Sequence, residues 1–273
     1  AAALALLALA ALGFFWRVVS GQNWMPADGG DLVSFLFPTY RFAAASLAAG
    51  EWPLWNPYLY GGAPHAGDIQ AGFLYLPNLI LFLLAPDFPY AALQWLSIAH
   101  IWFAGAGMYL LLARGFSLRR LAALAGALAF MFADPFLTHF GNLNLNAAMS
   151  WLPWIFWAWL PVLRPVPAGE PFVARLPAVL LSGVLLGIAI TAGHIQATLL
   201  TILALTVYTV LAVWLQARQA GGGRGGMRVL LSGALAVVVA GLLAAPVLLP
   251  AYELAGRTAR AGWNYTATAG YSL

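Results

Sequence analysis

The sequence predicts an all-α, polytopic membrane protein built as a bundle of about seven transmembrane helices. Of its 273 residues, 63% are hydrophobic and only 7% are charged, which leaves too little polar surface to cover a water-soluble globule. The apolar residues come in blocks of roughly 17 to 25, the length a helix needs to cross about 30 Å of hydrocarbon. Stretches such as 199–215 are continuously apolar, whereas the strands of a membrane β-barrel alternate.

The predicted spans follow one another in chain order, with one short apolar piece treated separately. They lie near 1–19, 92–113, 120–135, 149–163, 176–192, 195–217 and 228–250. The segment Leu74–Ala85 is bracketed by Pro77 and Pro86 and is short for a span, so we interpret it as re-entrant or interfacial. Residues 20–91 then form a long, partly helical first extracytoplasmic loop of a single transmembrane domain, 1–273.

The distribution of charge predicts the topology. The twelve basic residues are all arginines, and with the N-terminus inside, eight of them fall in cytoplasmic loops, as the positive-inside rule requires. These eight are Arg114, Arg119, Arg120, Arg164, Arg175, Arg218, Arg224 and Arg228. Seven of the eight acids then lie outside. The net charge of +4 therefore reflects membrane topology, and no basic patch points to a nucleic-acid partner. The absence of Cys excludes disulfides and Cys-ligated metal.

The first loop begins with a predicted interfacial helix. Asp31 precedes a run of apolar residues and good helix formers, Leu32–Ala49, which is flanked by glycines on both sides. The pattern predicts that Asp31 is the N-cap of this helix. An aspartate beside the bilayer can also accept a proton or hold a cation.

The rest of the loop is rich in aromatic and turn residues and holds several candidate contacts. Trp55 and Asn56 lie in a Trp- and Pro-rich stretch, where aromatic rings suit either the membrane interface or stacking against sugar rings. His65 and Asp68 are three residues apart in a glycine-rich segment, a spacing that offers two ligands to one metal ion but lacks a third. Gln70 follows directly.

Further polar residues stand at the predicted outer ends of the spans. His194 and Gln196 occupy a tight turn between two spans, where they either bind sugar hydroxyls and phosphate or satisfy the backbone of the turn. Asn142, Asn144 and Asn146 alternate, so an extended segment would present all three on one face, whereas a helix would not. Turn and cap roles are the alternative for these asparagines.

Several motifs together resemble one family of bacterial membrane proteins, the YfhO family. The resemblance runs through most of the chain. It is carried by the Asp31 run with Pro38, by 50–57 (GEWPLWNP), by the Gly62-Ala63-Pro64 turn with Gln70, Tyr75 and Pro77, by 193–196 (GHIQ), by 249–254 (LPAYEL) and by 271–273 (YSL).

YfhO-like proteins are similar to membrane glycosyltransferases of the GT-C type, which take a sugar from a polyprenyl-phosphate carrier. The resemblance therefore implies a GT-C-like fold, a bacterial cytoplasmic membrane, a lipid-linked sugar donor, contact with membrane lipids and an extracytoplasmic acceptor. It also implies an acid in the first outer loop near the reacting centre. Asp31 is the position we favour as general base on the acceptor hydroxyl, with Asp28 as the second candidate.

The proposed chemistry also needs groups that neutralise the leaving phosphate, and it raises the question of which residues would bind a metal ion. Arg257 and Arg260 follow the last span outside and are candidates to neutralise the phosphate, with headgroup contact as the alternative. Asp28 and Asp31 could share a divalent cation, but no definite ligand pattern surrounds them, so the metal is left unassigned.

Two other function classes compete with the glycosyltransferase. A lipid or solute transporter would need ionisable residues near the midplane, and His100 is the only one set deeper in a span. A non-catalytic membrane scaffold would use the outer loop to hold a partner. We also expect the chain to be a fragment of a longer protein, because it opens inside an apolar run without Met and closes in a loop.

Overall fold

A computed structural model of the protein describes residues 2–27, 30–164, 171–220 and 223–263, without the side chains of 219–220, 223–225 and 259–260. The described part is all-helical apart from one two-stranded ladder. The α-helices are α1 (Ala2–Phe14), α2 (Trp16–Val19), α3 (Phe37–Ala48), α4 (Leu76–Leu84), α5 (Tyr90–Leu110), α6 (Arg120–Met131), α7 (Asp134–Thr138), α8 (Leu143–Ser150), α9 (Leu152–Leu163), α10 (Leu176–Thr191), α11 (Ile195–Ala220) and α12 (Gly223–Arg257). Strand β1 (Trp55–Asn56) pairs antiparallel with β2 (Ala63–Pro64). Short π turns cover Leu32–Leu36 and Leu111–Gly115, and 3₁₀ turns cover Ile69–Ala71, Phe172–Arg175 and Ala259–Gly262.

Five helical segments in the described ranges are long and apolar enough to cross a membrane. They are Tyr90–Gly115, Arg120–Thr138, Phe172–Thr191, Ile195–Arg218 and Gly226–Arg257. They coincide with five of the seven predicted spans. The faces of these helices that point away from the bundle expose large apolar side chains such as Leu199 and Leu242, which suits contact with lipid. The sequence thus folds as a protein compatible with multiple membrane crossings.

The other two predicted spans correspond to shorter helices, so the count of seven stays a prediction. Over 1–19 the structure has α1, of 13 residues, followed by the short α2. Over 149–163 it has α9, of 12 residues, which is about 18 Å long at 1.5 Å per residue. Trp151 joins α8 to α9 with right-handed helical dihedrals, and Leu143–Leu163 together would reach about 30 Å.

The short apolar segment of the first loop forms a helix that is too short to cross the bilayer. Its helix, α4, has nine residues and is therefore about 14 Å long, half of the hydrocarbon thickness. The structure thus agrees with the interpretation of Leu74–Ala85 as non-spanning.

A helix is present where the interfacial helix is predicted, but the N-cap role of Asp31 is wrong. Helical backbone is continuous from Gly30 through the π turn Leu32–Leu36 into α3. Asp31 itself has right-handed helical dihedrals, and its side chain makes no capping hydrogen bond. Because the helix starts before Asp31, the carboxylate is free for another partner.

The connections between helices separate two ends of the bundle. A short connection joins α5 to α6 at one end, where α11 also ends and α12 begins, and a short turn joins α10 to α11 at the other. Seven arginines flank helix ends at the first of these, namely Arg114, Arg119, Arg120, Arg164, Arg175, Arg218 and Arg228. The second end carries the 20–91 segment and is termed the loop end. The segregation follows the predicted topology, and which face is cytoplasmic stays a prediction.

Two glycines let α10 and α12 approach closely. A Cβ added at Gly183 would lie 2.7 Å from the Ala236 carbonyl oxygen, and one at Gly187 would lie 3.0 Å from Leu243. Small residues four apart on one helix face are typical of close helix packing in membranes. This pair brings the middle of α10 and the middle of α12 together.

We expect Gly183→Val to lower the free energy of unfolding by about 1–3 kcal/mol, because the new side chain would meet backbone that cannot move aside. Gly241→Val is the matched control, since a Cβ at Gly241 on α12 has no atom within 4 Å. Thermal unfolding of the two variants in the same detergent measures the difference. Equal losses of stability would contradict the close packing at Gly183.

Candidate functional site

A polar cavity of about 270 Å³ lies at the loop end of the bundle, beside the turn between α10 and α11. It is termed the Asp31 cavity. Its lining residues are Asp31, Phe35, Leu36, Ile69, Gln70, Asn142, Asn144, Gly193, His194, Ile195 and Gln196.

Four of the residues nominated from the sequence meet in this cavity. Asp31 belongs to the first loop helix, Gln70 to the 3₁₀ turn Ile69–Ala71, and His194 and Gln196 to the α10–α11 turn. These segments are separated by up to about 160 residues in the chain, so only the tertiary fold brings them together.

A buried hydrogen-bond network holds the walls of the cavity in place. The Asn144 side-chain amide donates to the Gln70 carbonyl oxygen, and its Oδ1 accepts from the Tyr40 hydroxyl at 2.9 Å. Asn78 Nδ2 in turn donates to the Tyr40 oxygen at 2.8 Å and to the Gly72 carbonyl at 2.9 Å. Because all of these side chains are buried, an unmade bond here is costly. The network fixes α8 and the 69–72 turn to α3 and α4.

Gly193 allows the α10–α11 turn to reach the 3₁₀ turn. Its φ of +91° is the left-handed region that favours glycine, and an added Cβ would lie 2.7 Å from the Ile69 carbonyl oxygen. The same Cβ would lie 3.1 Å from Asn144 Nδ2. Any larger residue would separate His194 from the opposite wall.

The carboxylate of Asp31 is exposed and unpaired within the described part of the chain. No hydrogen bond or salt bridge to it occurs there, in contrast to Asp87, which pairs with Arg41 at 2.9 Å. A carboxylate that is not engaged by the protein can accept a proton from a bound hydroxyl group. The geometry therefore suits a general base.

His194 is held as a neutral ring at the edge of the cavity. Its Nδ1 accepts a hydrogen bond from the Ala197 backbone N–H at 3.3 Å, so the neutral ring carries its proton on Nε2. Burial lowers the pKa of His194, a hydrogen bond with its own backbone opposes this, and the nearby His139 lowers the pKa further. At neutral pH the ring therefore offers an N–H donor.

His65 and Asp68 lie outside the Asp31 cavity, and their contacts are of a structural kind. His65 is 3% exposed between the rings of Phe42 and Phe73, at centroid distances of 5.3 and 5.8 Å, and its Nε2 has no partner. Asp68 caps the 3₁₀ turn by accepting from the Gln70 N–H at 2.9 Å. Both residues line a separate small cavity of about 180 Å³ against Pro246 and other residues of α12.

We expect the fold to lose stability on acidification through His65. Burial lowers the pKa of its ring from the ordinary 6.5 to about 4, so between these values the unfolded chain binds a proton that the folded loop does not. The stability is full above pH 6.5 and falls by about 1.4 kcal/mol per pH unit, about 3 kcal/mol in all, down to pH 4.

Thermal unfolding followed by tryptophan fluorescence at pH 7.5 and pH 5.0 measures this effect. His65→Leu keeps the approximate side-chain size and removes the titrating group, so its midpoint should fall less between the two pH values. An identical pH dependence of the two proteins would show that His65 does not carry the effect.

Trp55 and Asn56 also lie outside the Asp31 cavity and form strand β1. Asn56 is buried, and its Oδ1 accepts from the Tyr58 N–H at 2.9 Å, so it shapes the backbone. Trp55 is 56% exposed and lines a larger groove along α3.

The predicted phosphate ligands and the metal ligands are not assembled around Asp31. Arg257 forms an exposed ion pair with Glu253 on α12 and does not line the cavity. Asp28 and the side chain of Arg260 lie outside the described residues. Within the described ranges, no group of three or more His, Asp or Glu side chains could hold a metal ion.

Some residues that prove central to the Asp31 cavity were weaker candidates in the sequence or were not candidates. Asn142 and Asn144 line it although α8 is helical, because Asn142 precedes the helix as its N-cap and Asn144 lies in its first turn. Tyr40 and Asn78, which position Asn144, were not nominated at all. The available signal was their polarity within otherwise apolar stretches.

Comparison with known proteins adds no relative: no protein-family model, curated protein or solved structure matches this chain.

Proposed function

We propose that the protein is a membrane glycosyltransferase that moves a sugar from a polyprenyl-phosphate donor to an acceptor hydroxyl. The observation that carries this proposal is the convergence of Asp31, Gln70, His194 and Gln196 on one polar cavity at the end of the bundle opposite most arginines. These are the positions that the YfhO-like motifs nominate, and the GT-C type of fold belongs to the same proposal.

The cavity offers the groups that such a transfer requires. The acceptor hydroxyl gives its proton to the Asp31 carboxylate while its oxygen bonds to the sugar C1. The bond from C1 to the phosphate oxygen breaks at the same time, and the polyprenyl phosphate leaves with the electron pair. Neutral N–H donors from His194 and the Gln196 amide can stabilise the charge on that phosphate.

A transporter fits the observations less well, because its candidate deep residue has a structural role. His100 Nδ1 donates to the Leu96 carbonyl at 2.7 Å, so its Nε2 accepts from the Tyr75 hydroxyl at 2.8 Å. The Tyr75 oxygen also accepts from the Trp151 indole N–H at 2.8 Å. A buried ring bonded at both nitrogens has no free nitrogen with which to exchange a proton.

The test is transfer of radiolabelled sugar from a panel of polyprenyl-phosphate donors by the protein in native membranes. Product should form with at least one donor and should fall about tenfold or more in a His194→Ala and Gln196→Ala double variant, because it lacks two donors to the leaving group. Membranes with an Asn23→Ala variant, altered on an exposed polar residue outside the cavity, are the control. Absence of product with every donor would favour the alternative function, a non-catalytic membrane scaffold.

A further inference from the structure

A groove at the loop end, larger than the Asp31 cavity, lies apart from it. It has a volume of about 790 Å³ and runs between α3 and the chain that follows it. Trp52, Trp55 and Tyr58 line it together with Arg41, Ser46 and Glu51. A groove of this size accommodates a ligand of the size of a short oligosaccharide.

Each of the three aromatic side chains is exposed and yet held from one side. The Trp52 ring packs edge to face on Phe73 at a centroid distance of 5.9 Å, and Tyr58 packs on Phe42 at 6.2 Å. The Trp55 indole lies against Gly62, where an added Cβ would approach it to 2.7 Å. Rings that are fixed before binding lose little rotamer freedom when a ligand covers them.

The backbone under these rings is also fixed. The β1–β2 ladder pairs Trp55 with Pro64, and the buried Asn56 holds the Tyr58 N–H. At the other end of the groove, the Glu51 N–H donates to the Ser46 carbonyl at 2.9 Å and ties the loop to the end of α3. The groove is therefore a preformed surface.

The polar groups of the groove favour hydroxyl-rich ligands. Arg41 is already engaged by Asp87 and by the Pro86 carbonyl at 2.8 Å, so it brings no free positive charge. The Glu51 carboxylate is exposed and has no partner among the described residues. Aromatic rings that cover the apolar faces of sugars, beside a carboxylate that accepts from hydroxyls, form a surface suited to a saccharide.

We propose that this groove binds a neutral oligosaccharide. The inference rests on the proposed function, since the saccharide would be the acceptor. The groove wall at Phe42 lies about 16 Å along the same helical run from Asp31, so the groove would hold sugar units remote from the reacting hydroxyl. The acceptor would then be a chain of several sugars rather than a single sugar.

Saturation-transfer NMR with the protein in lipid nanodiscs tests the inference, with maltotriose, cellotriose and chitotriose as probes. At least one probe should receive saturation from the wild type. A Trp52→Ala and Trp55→Ala double variant should bind at least about tenfold more weakly. Trp24→Ala, which removes an exposed tryptophan of the same loop outside the groove, should bind as the wild type does.

Two results would overturn the saccharide site. One is no saturation of any probe, accompanied by quenching of Trp52 and Trp55 fluorescence by brominated lipids, which would make these rings membrane anchors. The other is binding that the double variant retains in full. Sugar transfer with an unchanged KM for the acceptor in the double variant would reject the groove alone, whereas binding without any transfer would reject the proposed function alone.

Discussion

Replacing Asp31 by Asn is expected to lower sugar transfer by about 10²- to 10⁴-fold, the usual contribution of a general base. The carboxamide has nearly the same size and shape but cannot take the proton of the acceptor hydroxyl. Because the Asp31 side chain is exposed and makes no bond within the described part of the chain, the substitution should leave the fold unchanged. Initial rates at matched protein levels, with unfolding midpoints measured in parallel, provide the comparison.

Two further variants make this prediction specific. Asp31→Glu keeps a carboxylate at a shifted position and should retain part of the activity. Asp134→Asn changes another exposed aspartate, at the start of α7 and outside the cavity, and should transfer sugar as the wild type does. Equal rates for Asp31→Asn and wild type would remove Asp31 from the chemistry.

Replacing Asn144 by Leu is expected to lower the free energy of unfolding by about 2–5 kcal/mol. The change removes the donor to the Gln70 carbonyl and the acceptor of the Tyr40 hydroxyl, and each buried group left without its partner costs about 1–3 kcal/mol. Since Asn144 also lines the Asp31 cavity, transfer should be lost together with stability. Thermal or denaturant unfolding in one detergent measures the stability term.

A graded series distinguishes the network from a general effect of substitution. Tyr40→Phe removes one hydroxyl and should cost about 1–3 kcal/mol, less than Asn144→Leu. Asn23→Leu changes an exposed asparagine of the same loop and should stay within about 0.5 kcal/mol of the wild type. Comparable losses in all three variants would mean that the buried network does not position these walls.

The membrane class and most helices were predictable because the bilayer requires long apolar segments, which can be recognised from the local sequence. Five predicted spans appear as helices of sufficient length, and the segment around α4 is correctly short. The prediction of Asp31 as an N-cap failed because capping preference is a local tendency, and here the helix begins at or before Gly30. Residues within a few positions of a helix end are the least predictable from sequence.

The sequence alone could identify polar residues at span ends as candidates, but it could not tell which of them face the Asp31 cavity. His65 and Asp68 stood beside Gln70 in one glycine-rich segment, yet Gln70 faces the Asp31 cavity while His65 and Asp68 face α12. Likewise, the alternation of Asn142 and Asn144 would place both on one face of an extended segment and left a turn or cap role open, whereas here a helix start directs both to the cavity. Which side of a turn meets which neighbour depends on contacts between distant segments.

The sequence by itself determined that this is a membrane protein, approximately where its helices lie, and that most arginines and most acidic residues belong to opposite ends of the bundle. Each of these follows from local apolarity and charge. Only the tertiary structure decided the content of the Asp31 cavity. Its walls come from four distant segments, joined through the bonds of Asn144 and through a turn that Gly193 allows to approach Ile69. Such contacts depend on complementary shape and paired polar groups across the fold, which no local pattern records.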